Sequence, residues 1–110
     1  MIETTIRNYL RSVQEVPVLM DQQAGMDEVY IIEKTGGGER NHIRTAMLAI
    51  QSYAKTKARA AQLCEDVIAY MMSAVTLDEV SSVSLNSAYD YTDTASKSYR
   101  YQAVFDITHY

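Results

Sequence analysis

The sequence predicts an α+β domain: a small antiparallel sheet of four to five strands, packed by one long and one short helix, in the order α-β-β-β-α-β-β. Two observations carry this. Between Lys55 and Val75, at 100° per residue, Ala60, Ala61, Cys64, Val67, Ile68, Met71, Met72, Ala74 and Val75 fall in one arc, while Lys55, Arg59, Gln62, Glu65, Asp66 and Ser73 fall in the opposite one. The segments before and after this stretch instead alternate with the two-residue period of strands. A helix with a broad apolar face between strands finds its burial partner in a sheet.

The elements follow in chain order. Ile2, Ile6, Tyr9, Leu10 and Val13 recur at helical spacing, which predicts a short amphipathic helix ending near Ser12. Pro17 lies within Glu15-Val16-Pro17-Val18-Leu19-Met20; it fixes an extended backbone and removes a donor, so a strand here is short or at a sheet edge. Asp21 to Asp27 reads as a loop, and Glu28 to Lys34 as a strand by its β-branched and aromatic content. Thr35 to Asn41, with Gly36, Gly37 and Gly38 at its centre, reads as a turn. Ile43 to Tyr53 is apolar at consecutive positions through Ala46-Met47-Leu48-Ala49-Ile50, the pattern of a central strand covered on both faces. Ser52 and Thr56 both offer an oxygen to cap the long helix. Val80 to Tyr91 reads as a strand and Thr92 to Ser98 as a polar turn. In the last stretch Tyr99, Tyr101, Ala103, Phe105 and Ile107 alternate with Arg100, Gln102, Asp106 and Thr108, a strand with one apolar and one wet face.

A chain of 110 residues is a single domain, spanning residues 1–110, large enough to bury about two thirds of its unfolded surface. A formal charge of −4 argues against gripping nucleic acid, which needs a basic face to neutralise phosphates. Tyr99, Tyr101 and Phe105 resemble a base-stacking platform only superficially, since the same residues fit a helix-covered core. The lone Cys64 sits on the apolar arc and reads as a small buried hydrophobe in a reducing compartment. No basic-then-apolar leader and no membrane-length apolar run is present in the sequence, so synthesis in a cytoplasm and no membrane partner are expected.

Chemistry is sparse. His42 and His109 have no Cys, Asp or Glu at ligand spacing, so no metal site is expected. Gly36-Gly37-Gly38 lacks the Gly-Lys-Ser/Thr ending of a phosphate loop and leads into a strand. Glu65-Asp66, Asp78-Glu79 and Asp90 with Asp93 read as solvated carboxylates. Neither a catalytic residue nor a cofactor-binding residue is expected, and the chain is not read as an enzyme. Nine tyrosines without a tryptophan suit protein contacts, since each combines contact area with a hydroxyl.

Several motifs, taken in order, carry a resemblance. A short helix precedes a Pro-containing strand; Tyr30-Ile31-Ile32-Glu33-Lys34 runs into the glycines; Ile50 to Ala58 joins a strand to an Ala-rich helix; and Arg100-Tyr101 to Phe105-Asp106-Ile107 closes the chain. In this order and spacing the chain resembles the tail terminator or tail-completion proteins of long-tailed bacteriophages, minor capsid proteins of head–tail joining. The resemblance implies a structural virion protein made in the bacterial cytoplasm. It implies a ring, typically hexameric, at the head-proximal end of the tail, with tail-tube and head-connector proteins as partners. A head-closure subunit is the alternative within the neck, and a small nucleotide-binding domain using Gly36 to Gly38 the alternative outside it. Loop position and charge point to Lys34, Gly36, Gly37, Gly38, Arg40, Arg44, Asp90 and Asp93 as contact residues. On this reading Ile68→Asp prevents folding, whereas Gly37→Ala spares the fold and impairs assembly.

Overall fold

The computed structural model describes residues 1–21, 27–92 and 99–110. Helix α1 (Ile2–Val13) is followed by β1 (Val18–Leu19), β2 (Val29–Arg40), β3 (Ile43–Ala54), α2 (Lys57–Met72), a short 3-10 turn (Ser73–Thr76), β4 (Val80–Asp90) and β5 (Tyr99–His109). The five strands form one sheet in the order β1-β2-β3-β5-β4, antiparallel except where β1 runs parallel to β2. The expected fold class and element order are those observed. Residues 93–98 of the expected Thr92–Ser98 turn and residues 22–26 of the expected Asp21–Asp27 loop lie outside the described residues.

Both helices cover one face of the sheet. There Ile6 and Leu10 of α1 and Leu63, Val67 and Met71 of α2 meet Tyr30, Ile32, Leu48, Ile50, Phe105 and Ile107. Phe105, Leu48, Ile50, Val67 and Met71 are fully buried, and burial of each such side chain contributes roughly 1.5–3 kcal/mol. Two tyrosine hydroxyls tie the layers: Tyr30 donates to the Leu63 carbonyl at 2.8 Å and Tyr9 to the Tyr70 carbonyl at 2.8 Å. Pro17 behaves as its chemistry requires, leaving β1 only two residues long at the sheet edge, with the Pro17 carbonyl accepting from Tyr30 N–H. Thr56 is the N-cap of α2, its hydroxyl accepting from Arg59 N–H at 3.2 Å, while Ser52 lies inside β3.

Two expectations need correction. The first concerns the glycines, which are strand. Gly36, Gly37 and Gly38 pair with Met47, Ala46 and Thr45, and the chain reverses at Asn41-His42 instead. Both of those residues have positive φ (52° and 66°), as a two-residue hairpin turn with strand-matching twist demands. β3 supplies a continuous hydrogen-bonding partner, and that pairing overrides the glycines' conformational freedom. A bulge at Thr35, between Lys34 and Gly36, absorbs the irregularity.

The second concerns the buried arc of α2, which is narrower and rotated. Leu63, Cys64, Val67 and Met71 are inside, whereas Met72 is 39% exposed, Val75 48%, and Ile68 sits on the flank. A helix lying on a sheet buries only the stripe in contact, so the centre falls at Val67. Ile68→Asp is accordingly less damaging than Val67→Asp.

Candidate functional site

No group of three or more metal-binding side chains occurs among the described residues. Cys64 is buried; burial, with the charge of Glu65 second, pushes its thiol up to about 11, so it is not a nucleophile at neutral pH. A cleft of about 550 Å³ lies between the end of α1, Pro17 and α2. Two of its three carboxylates, Glu28 and Asp66, are already engaged. Arg59 donates to Glu28 from Nε at 2.7 Å and from Nη2 at 3.1 Å, and Gln62 donates to Asp66 at 2.9 Å. The Arg59 hydrogen bond and charge hold Glu28 below the usual carboxylate range. Among the described residues that line this cleft there is no Ser, Thr, Cys or His.

The first surface is the β2–β3 hairpin. From Glu33 to Thr45 every residue is exposed, so this half of the hairpin stands clear of the helices. Six of the eight expected contact residues converge here: Lys34, Gly36, Gly37, Gly38, Arg40 and Arg44. β1 pairs only with Tyr30 and Ile31, so Ile32 to Arg40 has β3 on one side and no strand on the other among the described residues. Arg44 approaches Glu39 loosely, at 3.7 Å, and Arg40 has no ion-pair partner among the described residues. Gly37 is tightly placed: a Cβ there would meet the Thr45 carbonyl oxygen at 2.6 Å, whereas Gly36 and Gly38 have room. The harmless Gly37→Ala of the turn reading is thereby overturned.

Asp90 is not part of that cluster. It ends β4 at the far edge of the sheet, 3.6 Å from Lys57 Nζ and accepting from the Thr92 hydroxyl at 2.6 Å and backbone N–H at 2.9 Å. These Thr92 bonds, and then Lys57, hold its carboxyl below the usual range. Asp93 lies outside the described residues.

The second surface is β4 itself, whose outer edge carries no strand among the described residues. Leu85, 42% exposed, lies on the helix-bearing face there, opposite Phe105. The Lys57–Asp90 pair fixes which flank of α2 faces β4, and Ala61 and Ile68 share that flank, with Met72 beyond them.

A third feature escaped the sequence reading. On the sheet face away from the helices, Arg100 Nη1 donates to the Tyr53 hydroxyl (2.9 Å), which donates to Gln51 Oε1 (3.1 Å). Gln51 Nε2 donates to Gln102 Oε1 (3.0 Å), and Gln102 Nε2 to the Tyr89 hydroxyl (2.6 Å). The Arg100 guanidinium lies 4.6 Å from the Tyr91 ring centroid and 5.8 Å from that of Tyr53. This chain fastens three neighbouring strands together and keeps Tyr53 and Gln51 buried without a covering helix. Its only sequence signal was polar alternation on the wet face of β5, which looked like ordinary solvent exposure. Phe105, by contrast, is fully buried under the helices and unavailable for stacking on a base.

No protein-family model matches the sequence, and no curated protein matches it.

Proposed function

We propose that this chain is a ring-forming structural subunit of a long-tailed bacteriophage neck, a tail terminator that ends the tail tube and joins it to the head connector. The observation that carries the ring is a single sheet that has, among the described residues, long unpaired edges on both sides, β2 beyond Ile31 and β4 throughout. Copies related by rotation touch through two different patches, and two dissimilar edges on opposite sides of one sheet meet that requirement. The neck assignment rests on the order of sequence motifs. The nucleotide-binding alternative loses its geometric basis, because a phosphate cradle needs a loop of converging N–H groups and these glycines are a paired strand.

Native mass spectrometry over a concentration series, with electron microscopy of the protein mixed with tail tubes, tests the reading. A closed ring of defined subunit number, seated at one tube end, is the expected result. A monomer at every concentration that leaves tube ends bare refutes it.

A further inference from the structure

We infer that neighbouring copies join edge to edge, β4 of one pairing antiparallel with Ile32–Arg40 of the next, and that Arg40 and Arg44 of the hairpin meet Asp78 and Glu79 of the neighbour. The inference rests on the ring reading above and specifies its interface.

Strand direction comes first. β2, β3, β5 and β4 alternate in direction across the sheet, so β2 and β4 run oppositely within one chain. Rotation about an axis along the strands brings β4 beside the next copy's β2 in antiparallel alignment and keeps the helices on the same side. The contact is heterologous, as a closed ring needs.

The edges themselves fit. Strands that remain at an edge usually carry Lys, Pro or an inward charge to repel a neighbour. β4 has no charged residue and no proline from Val80 to Tyr89. Its two bulges, at Ser81 and Asn86, bend the strand locally and leave the Val83–Leu85 stretch between them regular. On the opposing edge, Gly36, Gly37 and Gly38 carry no side chain to hold a neighbouring strand away. Leu85 and Met72, exposed beside the β4 edge, are the apolar surface such a neighbour covers.

Charge sets the alignment. Val80 lies opposite His109, His109 opposite Arg44, and Arg44 opposite Glu39, which puts the start of β4 and the hairpin turn at the same end of the sheet. Asp78 and Glu79 immediately precede Val80, are exposed, and have no ion-pair partner among the described residues. Two free acids at one edge thus stand level with the turn end of the other, where Arg40 lies on β2 and Arg44 one strand in on β3, beside Glu39.

The test is a charge exchange read by native mass spectrometry. Arg40→Glu with Arg44→Glu, and separately Asp78→Arg with Glu79→Arg, should each weaken ring assembly at least about tenfold while leaving the thermal melt near wild type. Mixing the two variants one to one should restore rings of alternating copies. Rings unaffected by either variant, or no rescue on mixing, overturn this interface and leave the ring reading standing. A dimer in place of a ring overturns it in favour of β4–β4 pairing, and a wild-type monomer under all conditions overturns both.

Discussion

Within the one strand β2, Val29 to Ile32 are buried on both sheet faces, whereas Glu33 to Arg40 are exposed on both. The first half is held by side chains. Tyr30 and Ile32 enter the core under the helices, and Val29 and Ile31 pack with Tyr53 and Leu19 on the opposite face. The second half is held mainly by backbone, through its ladder with Ile43 to Ala49 of β3, with the Thr35 hydroxyl donating to the Met47 carbonyl at 3.3 Å. Burial therefore does not define a strand here; a continuous partner does. What the difference teaches is functional, because a strand extended beyond its core places an unpaired edge in solvent.

Four measurements break or sharpen this contrast, in falling order of effect. Ile32→Asp should abolish the cooperative thermal transition, since it places an unpaired carboxylate in the core, while Lys34→Asp two residues on should shift stability by less than about 0.5 kcal/mol. Comparable losses from both would mean that the exposed half is packed after all. Next, Gly37→Ala should cost about 1–3 kcal/mol in urea unfolding because its Cβ meets a backbone oxygen, with Gly36→Ala and Gly38→Ala near neutral. Equal behaviour of all three would return the segment to a loose turn.

Smaller still, His42→Gly should stabilise by up to about 1 kcal/mol, since it relieves a left-handed non-glycine residue in the hairpin turn. A loss of stability would place the reversal elsewhere. The smallest effect concerns Glu28, which precedes the buried half and is bonded by Arg59 of α2. Its carboxyl is depressed in the folded chain, so its contribution is present above the ordinary glutamate pKa of about 4 and lost as pH falls through the lower folded value. The acid limb of the melting-temperature profile should be shallower in Arg59→Ala than in wild type. An identical limb in both proteins would remove this ion pair from the stability account.

Much of the architecture was legible because it depends on local chemistry. Thr56 caps a helix wherever one begins, Pro17 confines a strand to an edge, and the alternation from Tyr99 to Ile107 fixes which residues of β5 face the helices. That Lys34, Gly36, Gly37, Gly38, Arg40 and Arg44 flank one chain reversal was legible too, because they are close in sequence. Asp90 lies apart from that hairpin, and charge alone does not say that β4 ends at the opposite edge, beside Lys57. The Tyr53–Arg100–Tyr91 network was invisible because its members come from separate strands.

By itself the sequence determined the type and order of the elements and part of the apolar core, because period and capping act over a few residues. Only the tertiary structure decided that the glycines are strand, that Val67 and not Ile68 centres the buried face of α2, and that among the described residues two long edges stay open. Each of those depends on which segment lies alongside, and that is set by pairing between residues far apart in the chain.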